Sequence, residues 1–234
     1  MKHKTLGIVG GLGTETSCTF CLKINNELRR ITNVQPHILL DNLPVSVKAE
    51  EKIINGKASK EHLNLLKESV KRLNKLNVNF IVIPCNTIHV FMEKLRKISK
   101  APILSIIEET ARECKRLNVK KAGLIASTKT IKEKLYFKEL KKYNIELILP
   151  NKVDQRFISS CILRIINNKT RSKDKLRLLQ IIKKIEENSG ESVILGCTDL
   201  PLLISQKDTS SRIIDSCKIL EESTVSILKQ NINF

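Results

Sequence analysis

FIVIPCNT (residues 80–87) and SVILGCTD (residues 192–199) decide the fold. Each is a run of aliphatic and β-branched residues that ends in a cysteine and then in amide, hydroxyl or carboxyl side chains. Nearly continuous apolar runs of this length suit strands covered on both faces, as in parallel sheets. The two cysteines, Cys85 and Cys197, lie 112 residues apart. A second pair of segments has almost the same spacing: GIVGGLGTET begins at Gly7 and GLIASTKT at Gly123, 116 residues apart. The same two kinds of strand end recur in the same order, which implies a duplicated lobe.

Further strands read outward from these anchors: TLGIV (5–9), HILLDN (37–42), APILS (101–105), KAGLIAS (121–127), IELILP (145–150) and RIID (212–215). Between most of them lie segments with apolar residues three and four apart, such as Leu63, Leu66, Val70, Leu73 and Ile107, Ala111, Cys114, Leu117. Alternation of strand and amphipathic helix predicts an α/β protein. The expected architecture is two pseudo-symmetric, Rossmann-like lobes. Each would hold a parallel sheet of about four strands flanked by helices, with the active site in the cleft between lobes. Residues 1–103 form the first expected lobe and residues 104–208 the second. The C-terminal stretch 209–234 is expected to fold back as a helix on the first lobe.

Composition narrows the function classes. Only 3% of the residues are aromatic and none is Trp, so the core must be aliphatic. No apolar run approaches the roughly 18–20 residues that cross a bilayer. The opening MKHKTLGIVGGLG has basic residues before an apolar run, but glycines stop that run after Val9. It reads as a first strand rather than a leader, and the chain is expected in the cytoplasm. The seven cysteines are odd in number and scattered, which predicts reduced thiols rather than a disulfide framework or a metal site. Cys18 and Cys21 form a lone CxxC that reads as packing on a helix face. The net charge of +18 is spread along KESVKRLNKLN (67–77) and KEKLYFKELKKYN (132–144), where Lys alternates with Leu, Glu and Asn as on solvated helix faces. A basic, non-catalytic nucleic-acid-binding protein would account for the charge but not for the cysteine motifs. GGLGTET also resembles a defective dinucleotide fingerprint, with Thr16 where a third glycine belongs.

The chemistry follows from where the cysteines sit. In open α/β sheets, reactive groups collect at the carboxyl ends of strands. A thiol there, just before a helix, faces unpaired backbone N–H groups that should lower its pKa. Asn86, Thr87 and Thr198 follow the cysteines and can donate hydrogen bonds to a carboxylate. Two lobes facing each other would set the thiols on opposite sides of a small cleft. That is the arrangement a two-base racemisation requires, one group removing the α-proton and the other protonating the opposite face. His89, one turn after Cys85, is a candidate supporting residue.

PCNTIH (84–89) and GCTDLPLL (196–203) resemble the two signature segments of the aspartate/glutamate racemases. GIVGGLGTETS (7–17) resembles that family's opening glycine loop, and GLIASTKTIKEKLY (123–136) its threonine-rich second-lobe loop. The resemblance implies amino-acid racemisation, most simply of aspartate or glutamate, with no pyridoxal phosphate, no metal and a homodimer. It makes Cys85 and Cys197 the proton-transfer pair. It makes Gly11, Asn86, Thr87, Ser127, Thr128, Thr130 and Thr198 substrate-binding residues, with Gly10 and Gly13 shaping the first loop. One departure stands out. The family's arginine for a distal carboxylate is missing from DNLPVSVKAEEK (41–52), and Asn167 stands where a family lysine is expected. Lys48, Arg164 or Lys169 are candidate replacements. Broader amino-acid or hydantoin racemisation, and isomerisation or decarboxylation of a dicarboxylate, are the alternative chemistries on this scaffold.

Overall fold

Among the described residues, β-branched and aliphatic runs make eight strands, and amphipathic segments of period 3.6 make the helices that cover them. The computed structural model describes residues 4–230 except Ala58 and Ser189. In the first lobe β1 (Thr5–Gly10), α1 (Thr14–Thr32), β2 (His37–Asn42), α2 (Val47–Ile54), α3 (Lys60–Lys75), β3 (Phe80–Val82), α4 (Met92–Arg96) and β4 (Ile103–Leu104) follow one another. The second has α5 (Ile106–Arg116), β5 (Lys121–Ala126), α6 (Thr128–Lys132), α7 (Leu135–Lys141), β6 (Glu146–Ile148), α8 (Lys152–Ile166), α9 (Ser172–Glu187), β7 (Ser192–Gly196), β8 (Arg212–Asp215) and α10 (Ser216–Lys229).

The strands form two four-stranded sheets, ordered β2-β1-β3-β4 and β6-β5-β7-β8, and every pairing is parallel. The second order is the first shifted by four strands, so the internal echo is a repeat of topology. In each sheet the chain runs outward to one side of the first strand and then returns to the other. That places a topological switch point between β1 and β3, and another between β5 and β7, where open α/β sheets form their crevices. The glycine loop and Cys85 leave the first switch point; Ser127 and Cys197 leave the second.

The lobes share their packing. One buried cluster joins Leu6, Phe20 and Leu28 to Tyr136, Ile194 and Leu220. Apart from Tyr136, Phe20 and Phe80 its large side chains are Leu and Ile, as the low aromatic content requires. The C-terminal helix begins at Ser216 rather than at residue 209. Arg212–Asp215 forms the strand expected there and pairs with β7, where Ile213 and Ile214 complete the edge of the second sheet. Asp215 then caps α10, accepting from the backbone N–H groups of Cys217 and Lys218. α10 lies against α1, where Lys23 and Glu221 approach to 3.1 Å. No described helix is long and apolar enough to cross a membrane.

Candidate active site

Cys85 and Cys197 line one small cavity of about 30 Å³ at the meeting of the two switch points. Around them stand Asn86, Thr87, Thr198 and Asp199 from the two strand ends, and Leu12 from the glycine loop. α2 contributes Glu50, Ile53 and Ile54, and α8 contributes Ile162 and Ile166. The walls are therefore mostly apolar, and the polar groups gather at the thiols.

Backbone N–H groups of Thr87 and Ile88 point at the Cys85 thiol and favour its thiolate, as its place before a turn of helix suggests. Burial outweighs them. With Asp199 and Glu50 nearby adding negative potential, the Cys85 pKa is pushed up to about 12. Burial also raises Cys197 well above the ordinary thiol value, and Asp199 and the neighbouring Cys85 add to the rise. The lowered thiol pKa expected from sequence is thus corrected. The turns after the cysteines are short 3₁₀ segments, Thr87–Phe91 and Leu200–Leu202, whose few N–H groups do not offset desolvation. Both thiols are neutral in this closed arrangement.

Asp199 is the polar side chain in direct contact with Cys197. The Cys197 thiol donates to Asp199 Oδ2 at 3.5 Å, and Thr16 Oγ1 donates to Asp199 Oδ1 at 2.5 Å. Burial raises the Asp199 pKa while these two hydrogen bonds hold it down. Gly13 makes room for it: with φ at 95°, a Cβ there would come within 2.9 Å of Asp199 Oδ1. Gly11, at φ 80°, lies against the backbone of Leu43, where a Cβ would sit 2.2 Å from the carbonyl oxygen. The glycine loop therefore wraps a carboxylate and a neighbouring turn, which disfavours the dinucleotide reading. Gly10 packs against Leu40 and Ser17 in the same manner.

The hydroxyl residues named from sequence divide into two groups. Thr198, in the cavity wall, donates to the Pro84 carbonyl of the other lobe at 3.2 Å. Thr87 meets Ser127 at 2.8 Å, and Ser127 meets Thr130 at 3.0 Å, a buried chain of hydroxyls joining the lobes. Ser127 and Thr130 reach the cavity only through Thr87. Thr128 turns the other way, to Ser159 of α8 at 2.7 Å. Asn86 donates to Ser216 at 3.0 Å and accepts from Tyr136 at 2.6 Å, so its side chain is clamped by the second lobe.

His89 does not touch the Cys85 thiol. The backbone N–H of Ile106 donates to His89 Nε2 at 3.2 Å, which leaves the proton on Nδ1. Nδ1 then donates to the Cys85 carbonyl at 2.9 Å. Burial depresses the His89 pKa to about 4, so the ring is a neutral strut between the Cys85 turn and the first N–H of α5.

The basic candidates fall outside the cavity. Lys48 is exposed on α2, because Glu50, Ile53 and Ile54, at helical spacing, occupy the inward face. Arg164 grips the buried Asp174 with two hydrogen bonds of 2.6 and 2.8 Å, and Lys169 is exposed. Asn167 donates to the Leu163 carbonyl. Cys18 is exposed, so it is not packed in the core as its spacing suggested, and Cys21 is half-buried. Sequence reasoning missed Thr16, Glu50 and Asp199. The spacing of Glu50 to Ile53 and Ile54 was the available signal for α2, and Asp199 stood inside the quoted SVILGCTD.

The profile of the family described as Asp/Glu/Hydantoin racemase matches residues 9–224. The broad specificity amino-acid racemase RacX of Bacillus subtilis is 26% identical over 226 residues, spanning 94% of this chain and 96% of that protein. Among solved structures, Picrophilus torridus aspartate racemase superposes with a TM-score of 0.81 at 22% identity, covering 98% of this chain and 96% of that one. An aspartate racemase homologue from Pyrococcus horikoshii superposes with a TM-score of 0.77 at 25% identity, covering 97% and 100%.

Proposed function

The chain belongs to the Asp/Glu/hydantoin racemase family, and from that premise we propose that it racemises a free amino acid without a cofactor, using Cys85 and Cys197 as two bases. The observation that carries this reading is the pair of thiols, delivered by equivalent strand ends of two topologically identical sheets to one cavity.

The proton balance is direct. Asp199 accepts the Cys197 proton across the 3.5 Å contact. The thiolate so formed removes the α-proton from one face of the bound amino acid. The Cys85 thiol donates to the opposite face, which inverts the centre and leaves Cys197 as thiol and Cys85 as thiolate. The proton held by Asp199 returns to the medium, and Cys85 regains one as product leaves. The reverse direction runs the same steps backward. Backbone N–H groups at Thr87 and Ile88 stabilise the Cys85 thiolate while it exists. The N–H groups of the two turns, with the Thr198 hydroxyl once it releases the Pro84 carbonyl, are the donors for a substrate carboxylate.

Aspartate and glutamate are the substrates the family resemblance suggests, and they head the panel to be tested. Among the described residues no Lys or Arg lines the cavity to receive their side chains. The name of the Bacillus subtilis relative favours a wider range. A homodimer in the cytoplasm belongs to the same reading, and light scattering on purified protein tests the dimer. The deciding experiment for function is incubation of D- and L-amino acids in D₂O with α-deuteration followed by NMR. Exchange and loss of optical activity for at least one amino acid is expected; none for any of them would reject the proposal.

A further inference from the structure

This inference rests on the racemase reading and concerns which side chain the cavity takes. α2 turns Glu50, Ile53 and Ile54 toward the thiols, and α8 of the other lobe adds Ile162 and Ile166 to the lining. Glu50 is half-buried, and among the described residues its carboxyl has no hydrogen-bond or ion-pair partner. The second carboxylate of the cavity, Asp199, is already engaged by Thr16 and Cys197. His62 also lines the cavity, but its Nδ1 is 2.8 Å from Ser59 Oγ and burial lowers its pKa, so it brings no positive charge.

An acidic side chain entering here would place a further carboxylate beside Glu50 and Asp199 with no cation to receive it. Such a group would be desolvated and repelled. A straight apolar stem ending in a cation fits both parts of the wall, with methylenes on isoleucines and the charge at Glu50. We propose that Glu50 is the side-chain recognition residue and that the preferred substrates are basic α-amino acids of the lysine and ornithine type. Burial and the neighbouring Asp199 and Glu51 raise the Glu50 pKa to about 6, which leaves it largely ionised at neutral pH and poorly solvated. The net charge of +18 opposes a cationic substrate at long range, but that charge is on solvated surfaces and is screened beyond about 8 Å at physiological salt. The contact at Glu50 is local and desolvated, so it dominates once the substrate is in the cavity.

The test compares lysine with norleucine, which lacks only the terminal ammonium, and with 2-aminoadipate, which ends in a carboxylate. The wild-type kcat/KM is expected to fall in that order. Glu50→Gln should cut the lysine-to-norleucine ratio by about tenfold or more, the scale of a charge-assisted contact in a partly buried site. Glu50→Lys should shift preference toward 2-aminoadipate. An equal loss on all three substrates in Glu50→Gln would show that Glu50 serves the α-ammonium or the thiols, and would overturn the proposal. Wild-type preference for 2-aminoadipate or glutamate would also overturn it while leaving two-thiol racemisation intact. Absence of racemisation of every amino acid in a full panel would reject the underlying reading as well.

Discussion

At the scale of single residues, the proposed site turns on two desolvated thiols, Cys197 buried and Cys85 half-buried, whose pKa values are both raised. Either Cys85→Ser or Cys197→Ser should lower racemisation by about 10²- to 10⁴-fold or more, since each removes a general acid–base group. Exchange of the α-proton from one face can survive in a single variant. In the proposed mechanism Asp199 relieves Cys197 of its proton across their hydrogen bond. Asp199→Asn should therefore cost about 10²-fold at pH 7, with partial rescue by Asp199→Glu. The pH profile separates this from a structural effect. Both thiols titrate far above neutrality, so without a carboxylate acceptor the thiolate fraction rises tenfold per pH unit. The rate of the Asn variant should climb with that slope through the alkaline range, while the wild-type profile is flatter. The cysteines were legible because a strand end and its cysteine are local in sequence. The use of Asp199 was not legible, since it depends on Thr16, 183 residues away, and on the space left by Gly13.

At the scale of elements, helix phase and strand-end turns decide what faces the cavity. The strands and the period-3.6 segments were readable because both faces of each sheet are covered and the pattern is strong. The phase of α2 was not. Lys48 and Glu50 are two residues apart, about 200° around a helix, and only packing of Ala49, Ile53 and Ile54 selects which one points inward. Two predictions belong here. Gly13→Ala adds a Cβ at positive φ within 2.9 Å of Asp199 Oδ1. It should destabilise the fold by roughly 1–3 kcal/mol and lower activity along with it, as thermal melting and kinetics on one preparation would show. His89 ties the Cys85 turn to α5 through two hydrogen bonds. Its pKa is depressed to about 4, so the stability it lends is present above its unfolded value near 6.5 and is lost as pH falls toward about 4. Urea unfolding at pH 7 and pH 5 should reveal about 2 kcal/mol less acid loss in His89→Asn than in wild type. An equal acid loss in both proteins would show that His89 is not buried as a neutral strut.

At the scale of the whole molecule, duplication is what makes a two-sided site from one-sided parts. Each sheet presents one switch point, and only the pairing of the lobes brings Cys85 and Cys197 to the same cavity. The lobes are held by Thr87–Ser127, Asn86–Ser216, Thr198–Pro84 and Thr16–Asp199 contacts, all spanning the two halves. A cavity of about 30 Å³ has room for little more than a water or two, so an amino acid must part these walls to enter. A thiol reagent should accordingly modify the exposed Cys18 quickly and Cys197 slowly. Saturation with a turned-over amino acid should slow the reaction of Cys197 further. The spacing of the echoed segments made the two lobes readable, but not the closure between them, which depends on pairs more than 40 residues apart in most cases. In the proposed mechanism two different thiols serve the two faces of one carbon. A single enantiomer of a turned-over amino acid incubated in D₂O tests it through the isotope in the first product formed. The opposite enantiomer should appear with deuterium at the α-carbon while the remaining starting enantiomer still carries protium. Product that retains the original proton would show one base acting on both faces, and would contradict it.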